Sequence, residues 1–352
     1  MAIDEDKLND LIGRFVSDFG AAMHAATVVI GDKLGLYAAL AERGPITGSD
    51  LAQELGFDTR LVEEWLAAQF VSGYAEYDPT ARAFWLTEEQ TAVLADDSTP
   101  AFLVGAQTIT AAMWKDEAPI RDAFRSGSGV GWHEHNHDLF HGTEKLFKPG
   151  YLGNLVSTWI PALDGVEAKL RSGAKVADIG CGHGSSTILL ANEYPNSEIA
   201  GFDYHAASID EARTRAAQSG IGDRVDFQVA SAQDFPGTGY DLVCIFDALH
   251  DMGDPIGAAA HIRASLADDG TWLLVEPMAV AGLENNVNPV SRIFYAGSVG
   301  ICTPAAQAQS GGYALGNQVS DAAWSDLLGH VGFSRFRRAA ENPFNRVFEV
   351  SR

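Results

Sequence analysis

Two stretches of the chain hold residues whose types and spacing could do chemistry. The first is Val176-Ala177-Asp178-Ile179-Gly180-Cys181-Gly182-His183-Gly184-Ser185-Ser186-Thr187. An apolar run ends there in a glycine turn that opens a helix. Such glycines let a backbone approach a ligand without Cβ clashes and adopt positive φ, and the following helix N-terminus favours anionic groups. Asp203 closes the next apolar run about 20 residues on, where a carboxylate can accept from a ribose diol. Turn and acid together point to an adenosine-containing cofactor. The second stretch is Phe246-Asp247-Ala248-Leu249-His250-Asp251-Met252, which leaves another apolar run; Glu276 ends the run after that. Histidine titrates near neutrality and suits proton transfer, although His250 could equally pack against the cofactor or cap the next helix.

The kind of adenosine is left open by the glycines. A dinucleotide fingerprint requires G-x-G-x-x-G/A, and here Gly180, Gly182 and Gly184 are followed by Ser185 where the third small residue would stand. Asp178, two residues before Gly180, would suit an ammonium and repel a pyrophosphate.

The elements needed to position these residues follow from periodicity. Short β-rich runs near 175–180, 198–204, 225–231, 240–247 and 271–277 alternate with helical stretches near 185–194, 206–219 and 255–267, which predicts a parallel sheet with helices on both faces. A helix near 321–331 and strands in GFSRFRRAA and FNRVFEVS close the chain. Residues 278–320 interrupt the alternation and are long for a plain connection, so they form a lid or pocket wall.

The N-terminal part has a different texture. Residues 1–40 are helical, with a broad apolar stripe at Leu8, Leu11, Ile12, Phe15, Phe19 and Met23 that suggests packing against another chain or domain. A capped helix closing at Gly56, a second helix from about Thr59 to Ser72 and a hairpin around Asp78-Pro79 make a winged helix-turn-helix. The would-be recognition helix carries Asp58, Glu63 and Glu64 against Arg60 alone, and a helix facing two rows of phosphates normally contributes Lys and Arg. The whole chain has 24 Lys+Arg against 47 Asp+Glu, a net charge of −23. That balance argues against nucleic-acid and anionic-membrane partners and for a structural or dimerising use of the motif. Hydrophobic residues make up 46%, enough for a real core. The acidic start MAIDEDKLND is unlike a signal peptide. Cys181, Cys244 and Cys302 have no zinc or disulfide spacing, so a reduced cytoplasmic protein is expected.

At this point the chain resembles a known family. DIGCGHG is similar to motif I of class I S-adenosylmethionine (SAM)-dependent methyltransferases, GFDY to their ribose-binding acid with an adenine-stacking neighbour, VASAQDFP to the segment bordering the adenine, and YDLVCIFDALHDM to the fourth-strand motif. The resemblance covers roughly 166–352. It implies an α/β fold: a seven-stranded, mostly parallel Rossmann-like sheet whose last two strands form the antiparallel edge, preceded by a mainly helical winged-helix domain. The arrangement is similar to small-molecule O-methyltransferases, where that domain dimerises. The domains implied are 1–98 for the winged helix and dimerisation, 99–165 as helical linker and pocket wall, and 166–352 for SAM binding and catalysis.

The site residues follow from the same resemblance. Asp178, Gly180, Cys181, Gly182, Asp203, Tyr204, Ala232, Gln233, Phe246 and Asp247 are the expected cofactor contacts. Ser231 stands where many members carry an acid, so Gln233 or Asp234 takes the adenine amine. His250 resembles the general base of a His-Asp-Trp element, with Met252 in place of the tryptophan, and Glu276 resembles the glutamate that supports it. Trp114, Phe147, Tyr151 and Tyr295 could wall an apolar acceptor pocket, since such pockets are mostly hydrophobic; Asn285, Asn286 and Asn288 could bind a ligand or cap turns. The tract Gly131–His141 has alternating histidines, but methyl transfer by this fold needs no metal unless a diol is oriented, and none is expected. The function expected is SAM-dependent methyl transfer to a small, apolar or aromatic acceptor, O-methylation preferred, by a homodimer. A ligand-sensing winged-helix regulator with a degenerate cofactor domain and an NAD-dependent oxidoreductase are the alternatives.

Overall fold

The computed structural model describes residues 3–352. The chain divides into two compact units, one formed by residues up to Trp114 together with His137–Pro149, the other by Lys115–Asn136 and Gly150–Arg352.

In the first unit, Asp4 accepts from the Lys7 amide at 3.2 Å and starts a long helix, Glu5–Lys33. A helix Leu36–Arg43 follows, then β1 (Ile46–Thr47). Thr47 caps the helix Gly48–Leu55, which ends at Gly56 with φ +71°, and Asp58 caps the helix Thr59–Val71. β2 (Glu76–Asp78) and β3 (Ala83–Trp85) are the wing, and the small sheet runs β1-β3-β2. Val28, Leu36, Tyr37, Leu40, Leu51 and Leu66 form the core. Inside it, the buried Gln69 amide takes the Tyr37 hydroxyl at 2.6 Å and donates to the Thr27 hydroxyl at 3.1 Å, so no polar end is stranded among the apolar side chains.

The second unit carries a seven-stranded sheet in the order β6-β5-β4-β7-β8-β10-β9. Its strands are β4 (Lys175–Ile179), β5 (Glu198–Asp203), β6 (Val225–Val229), β7 (Tyr240–Phe246), β8 (Leu266–Pro277), β9 (Arg335–Glu341) and β10 (Asn345–Ser351). β4 through β8 pair in parallel and β10 pairs antiparallel with β8 and β9, as expected of the seven-stranded, mostly parallel fold. β4 and β7 are almost wholly buried, because helices such as Ser185–Glu193, Ala206–Gln218 and Pro255–Ser265 cover the sheet.

The boundaries differ from expectation at two places. β8 starts at Leu266 rather than near 271, after a register irregularity between Tyr240 and Leu242 of β7. Residues 278–320 also hold helices, Pro289–Gly297 and Thr303–Gln307. Pro289 and Pro304 sit in first turns, where a missing N–H costs nothing, so residues that signal breaks instead begin helices.

Candidate functional site

The chain runs β4, β5, β6 to one side and returns to place β7 on the other side of β4. Strand order therefore reverses between β4 and β7, and ligands in open α/β sheets bind outside the carboxyl ends of strands at such a point. Both stretches singled out by their chemistry open there: the glycine turn leaves β4, and 246–252 leaves β7. An ideal Cβ on Gly180 would lie 3.3 Å from the Ala248 Cβ, which measures how closely the two approach.

The turn is fixed by its own backbone. The Gly180 and Cys181 amides donate to the Phe202 carbonyl at 2.7 and 3.1 Å. Gly182, at φ +52°, faces open space where its Cβ would be, so a ligand can reach the main chain there. Gly184, at φ +80°, has the opposite surroundings: a Cβ would fall 2.7 Å from Phe227 Cζ. Asp203, at the end of β5, accepts from the Gly182 amide with Oδ2 at 3.0 Å and from the His205 amide with Oδ1 at 2.8 Å. Each oxygen keeps a lone pair for a ribose hydroxyl. Burial raises its pKa against these two hydrogen bonds.

Asp178 is fully buried. Its Oδ2 accepts from the Ser186 and Thr187 hydroxyls, both at 2.6 Å, and so ties the strand to the helix it feeds. Its Oδ1 has no partner, and burial pushes the group up to about 6 despite the two hydroxyls. An orphaned buried carboxylate oxygen beside a glycine turn that is open to a ligand, with a ribose-competent acid across it, fits an adenosine bearing a cationic amino-acid end.

Beyond Asp203, Tyr204 is 46% exposed and meets His133 edge-on at 6.2 Å. Ala232 is buried, and Gln233 donates to the Asp254 carbonyl at 3.2 Å. The Asp234 carboxylate accepts from both the amide and the hydroxyl of Ser231 at 2.8 and 2.7 Å, which hold its pKa down, so it is engaged within its own turn. Phe246 packs against Tyr151 at 5.2 Å and stacks with Trp159 at 6.2 Å.

Asp247 adopts φ +49°, a conformation uncommon outside glycine. Both its oxygens accept from Asn345 Nδ2, at 2.9 and 3.0 Å. Burial, then the Glu276 charge, push the group up to about 8.

His250 lies in the short turn Leu249–Asp251 and is buried. Its Nδ1 lies 2.7 Å from Oε2 of the wholly buried Glu276, so the proton is assigned to Nδ1 and Nε2 carries the lone pair of the neutral ring. Nε2 lies 3.1 Å from Asp251 Oδ1. Burial disfavours the imidazolium, but the Glu276 and Asp251 carboxylates overcome it and hold the pKa well above the ordinary histidine value. The Cys181 thiol, raised well above its usual value by burial, is no nucleophile.

A family model described as a methyltransferase domain matches residues 170–304, and one described as an Rv2258c-like winged HTH domain matches residues 22–96. The chain carries a winged-helix domain and a methyltransferase domain. It is 29% identical over 129 residues to a 27-O-demethylrifamycin SV methyltransferase of Amycolatopsis mediterranei, covering 35% of this chain and 47% of that protein. It is 36% identical over 74 residues to a trans-aconitate 2-methyltransferase of Streptomyces avermitilis, covering 21% and 28%. The chain thus spans less than half the length of these relatives. Among solved structures, human N-acetylserotonin methyltransferase in complex with SAM superposes with TM-score 0.73 at 16% identity, covering 100% of this chain and 99% of that one. At that identity the likeness is one of fold.

The remaining expected residues fall in both units. Trp114, 69% exposed, and the half-buried Phe147 belong to the first unit. In the methyltransferase-bearing unit, Tyr295 lines a cavity of about 360 Å³ with Val280, Leu283, Asn286, Leu315 and Gln318, whereas Tyr151 sits against Phe246 and Trp159. Asn286 bonds the Val280 and Gly282 carbonyls and Asn288 caps Ser291, so these asparagines shape the loop. The histidine tract is divided too: His135 is buried 2.9 Å from Asp116, and His137 and His141 lie in the other unit. Asn345 and Cys302, both against the central residues, carried no signal in the sequence. They arrive from segments remote in the chain.

Proposed function

We propose that the protein transfers a methyl group from S-adenosylmethionine to the oxygen of a small apolar or aromatic acceptor, with His250 as general base. The observation that carries this reading is the Glu276–His250 pair at the carboxyl end of β7, beside the glycine turn and Asp203. When bound, the cofactor supplies an electrophilic methyl on a sulfonium, so the chain has only to place the nucleophile and take its proton. Gly180, Cys181 and Gly182 offer backbone to the cofactor, Asp178 the free Oδ1 and Asp203 its remaining lone pairs, while Tyr204, Ala232 and Gln233 border the adenine. Phe246 and Asp247 occupy the rim between the turn and His250. Glu276 fixes the imidazole so that Nε2 points away from it, and Nε2 accepts the acceptor's hydroxyl proton. Tyr151 and Tyr295 supply apolar wall.

Calorimetry with S-adenosylhomocysteine and with NAD tests the assignment. Binding of the former and not the latter is expected; the reverse would make the protein an oxidoreductase. For the regulator reading, a basic face is required on the helix Thr59–Val71, and there Arg60 is paired with Glu64.

The long N-terminal helix supports assembly as a homodimer. Leu11, Phe15, Val16, Phe19 and Met23 are 59–70% exposed on it, and contiguous exposed apolar residues mark interaction surfaces. Light scattering is expected to give twice the chain mass, and Phe15→Asp with Phe19→Asp to return it to one. No helix among the described residues is long and apolar enough to cross a membrane, and the three cysteines are free and buried, which supports a place in the reducing cytoplasm.

A further inference from the structure

The far side of the His250 ring has neighbours that proton transfer alone does not require. Nε2 lies 3.1 Å from Asp251 Oδ1, and the Cys302 thiol touches both groups. One ligating atom from each of His250, Asp251 and Cys302 lies within 4.8 Å of the other two. The set is drawn from two separate segments, the turn after β7 and the helical turn Ser298–Cys302.

An ordinary buried ion pair between His250 and Asp251 would account for part of this. It leaves three features unexplained. Asp251 Oδ1 is shielded from water yet has no hydrogen bond of good geometry. The Asn317 amide donates to Cys302 Sγ at 3.4 Å, and a neutral thiol is a weak acceptor, so an N–H aimed at it suits a thiolate. Finally, Glu276 Oε2 at 2.7 Å from Nδ1 and Asp251 Oδ1 at 3.1 Å from Nε2 set two carboxyl groups against one imidazole, and buried charges are normally paired or coordinate metals.

All three are met at once by a cation. We propose that His250 Nε2, Asp251 Oδ1 and Cys302 Sγ bind a thiophilic divalent cation of the zinc class, with a fourth position open. Nitrogen, carboxylate oxygen and sulfur are the ordinary zinc donors, and bonds of about 2.0–2.3 Å put ligand atoms about 3–4 Å apart, so the cluster has to contract by about 1 Å. The supporting contacts are in place: Glu276 holds the other ring nitrogen, as a carboxylate does behind a metal-bound histidine, and Asn317 holds the sulfur. The Asp251 side chain keeps 22% exposure, which gives the ion a way in, while His250 and Cys302 are closed off. On binding, the thiol proton leaves to solvent.

One consequence rests on the base role given to His250 above. The cation occupies the same lone pair that accepts the hydroxyl proton, so the loaded protein cannot transfer methyl groups and the ion acts as a reversible inhibitor.

The test uses full-length protein stripped with a chelator and titrated with Co²⁺, without cofactor or acceptor. One equivalent is expected to bind with a thiolate-to-cobalt charge-transfer band. Cys302→Ala is expected to abolish that band, and Asn317→Ala, which keeps all three ligands, to weaken binding about 10–100-fold. If Cys302→Ala fails to fold, a rise in wild-type melting temperature with Zn²⁺ decides instead. A wild-type protein with neither band nor thermal shift, or a band that survives in folded Cys302→Ala, overturns the site. Methyl transfer present in chelator and lost on adding Zn²⁺ supports the consequence. A stoichiometric band from a protein inactive under both conditions leaves the metal site standing and counts against the base.

Discussion

His250→Ala is expected to lower kcat by about 10²–10⁴ while leaving the affinity for S-adenosylhomocysteine unchanged. The imidazole is buried with Nδ1 on Glu276, so its orientation is fixed before an acceptor arrives. Removing it leaves the Glu276 carboxylate without its cation in the core, a change that costs about 3–5 kcal/mol of stability; cofactor binding is therefore measured alongside turnover to show that the variant is folded. The pH dependence separates a base from a packing residue. A base works deprotonated, and the Glu276 and Asp251 carboxylates raise the folded pKa of His250 above 6.5, so kcat/KM is expected to rise with pH along a limb lying above that value. Glu276→Gln removes one of the two charges and moves the limb to lower pH. The same shift has the opposite sign in stability: protonated His250 stabilises the fold fully below the unfolded pKa, and the contribution is lost as pH rises through the higher folded pKa. Normal turnover in His250→Ala, or a limb unmoved by Glu276→Gln, would return the pair to packing.

Most elements were legible in the sequence for specific reasons. β4 and β7 are short apolar runs because a parallel sheet is covered on both faces. The helices after Thr47, Asp58 and Ser320 each start at a residue whose side chain accepts from an amide three positions on, a signal local enough to find without a structure. The glycine turn and Asp203 were legible because the main chain itself needs those residue types. Contacts made across the fold were not. Asn345 reaches Asp247 from 98 residues away, and Cys302 comes to His250 from the segment that interrupts the strand–helix alternation. Asp178 was found, but not that hydroxyls of Ser186 and Thr187 would take one of its oxygens. The histidine tract shows the converse: residues adjacent in sequence fall in different units, and His135 turns inward to Asp116.

Asp203→Ala is the second large effect expected. The carboxylate has two tasks on one pair of oxygens: it receives the Gly182 and His205 amides and keeps lone pairs toward the crevice. Loss of the ribose bonds alone is expected to weaken S-adenosylhomocysteine by about 1–3 kcal/mol, roughly 5- to 150-fold in Kd. The turn adds to this, because Gly182 at φ +52° is held by that same carboxylate, and without it the loop must be ordered anew at each binding event. The two contributions can be told apart by Asp203→Asn. Its carbonyl oxygen can still receive one of the two amides, while its NH₂ group must face the other donor, so the turn is partly kept and the ribose acceptor is weakened. Calorimetry is expected to rank wild type above Asp203→Asn and Asp203→Asn above Asp203→Ala, with the unfavourable entropy of binding largest for the alanine. Folded Asp203→Ala with wild-type Kd would move the cofactor away from the carboxyl ends of β4 and β5, and the base assigned to His250 would lose the electrophile it is placed to serve.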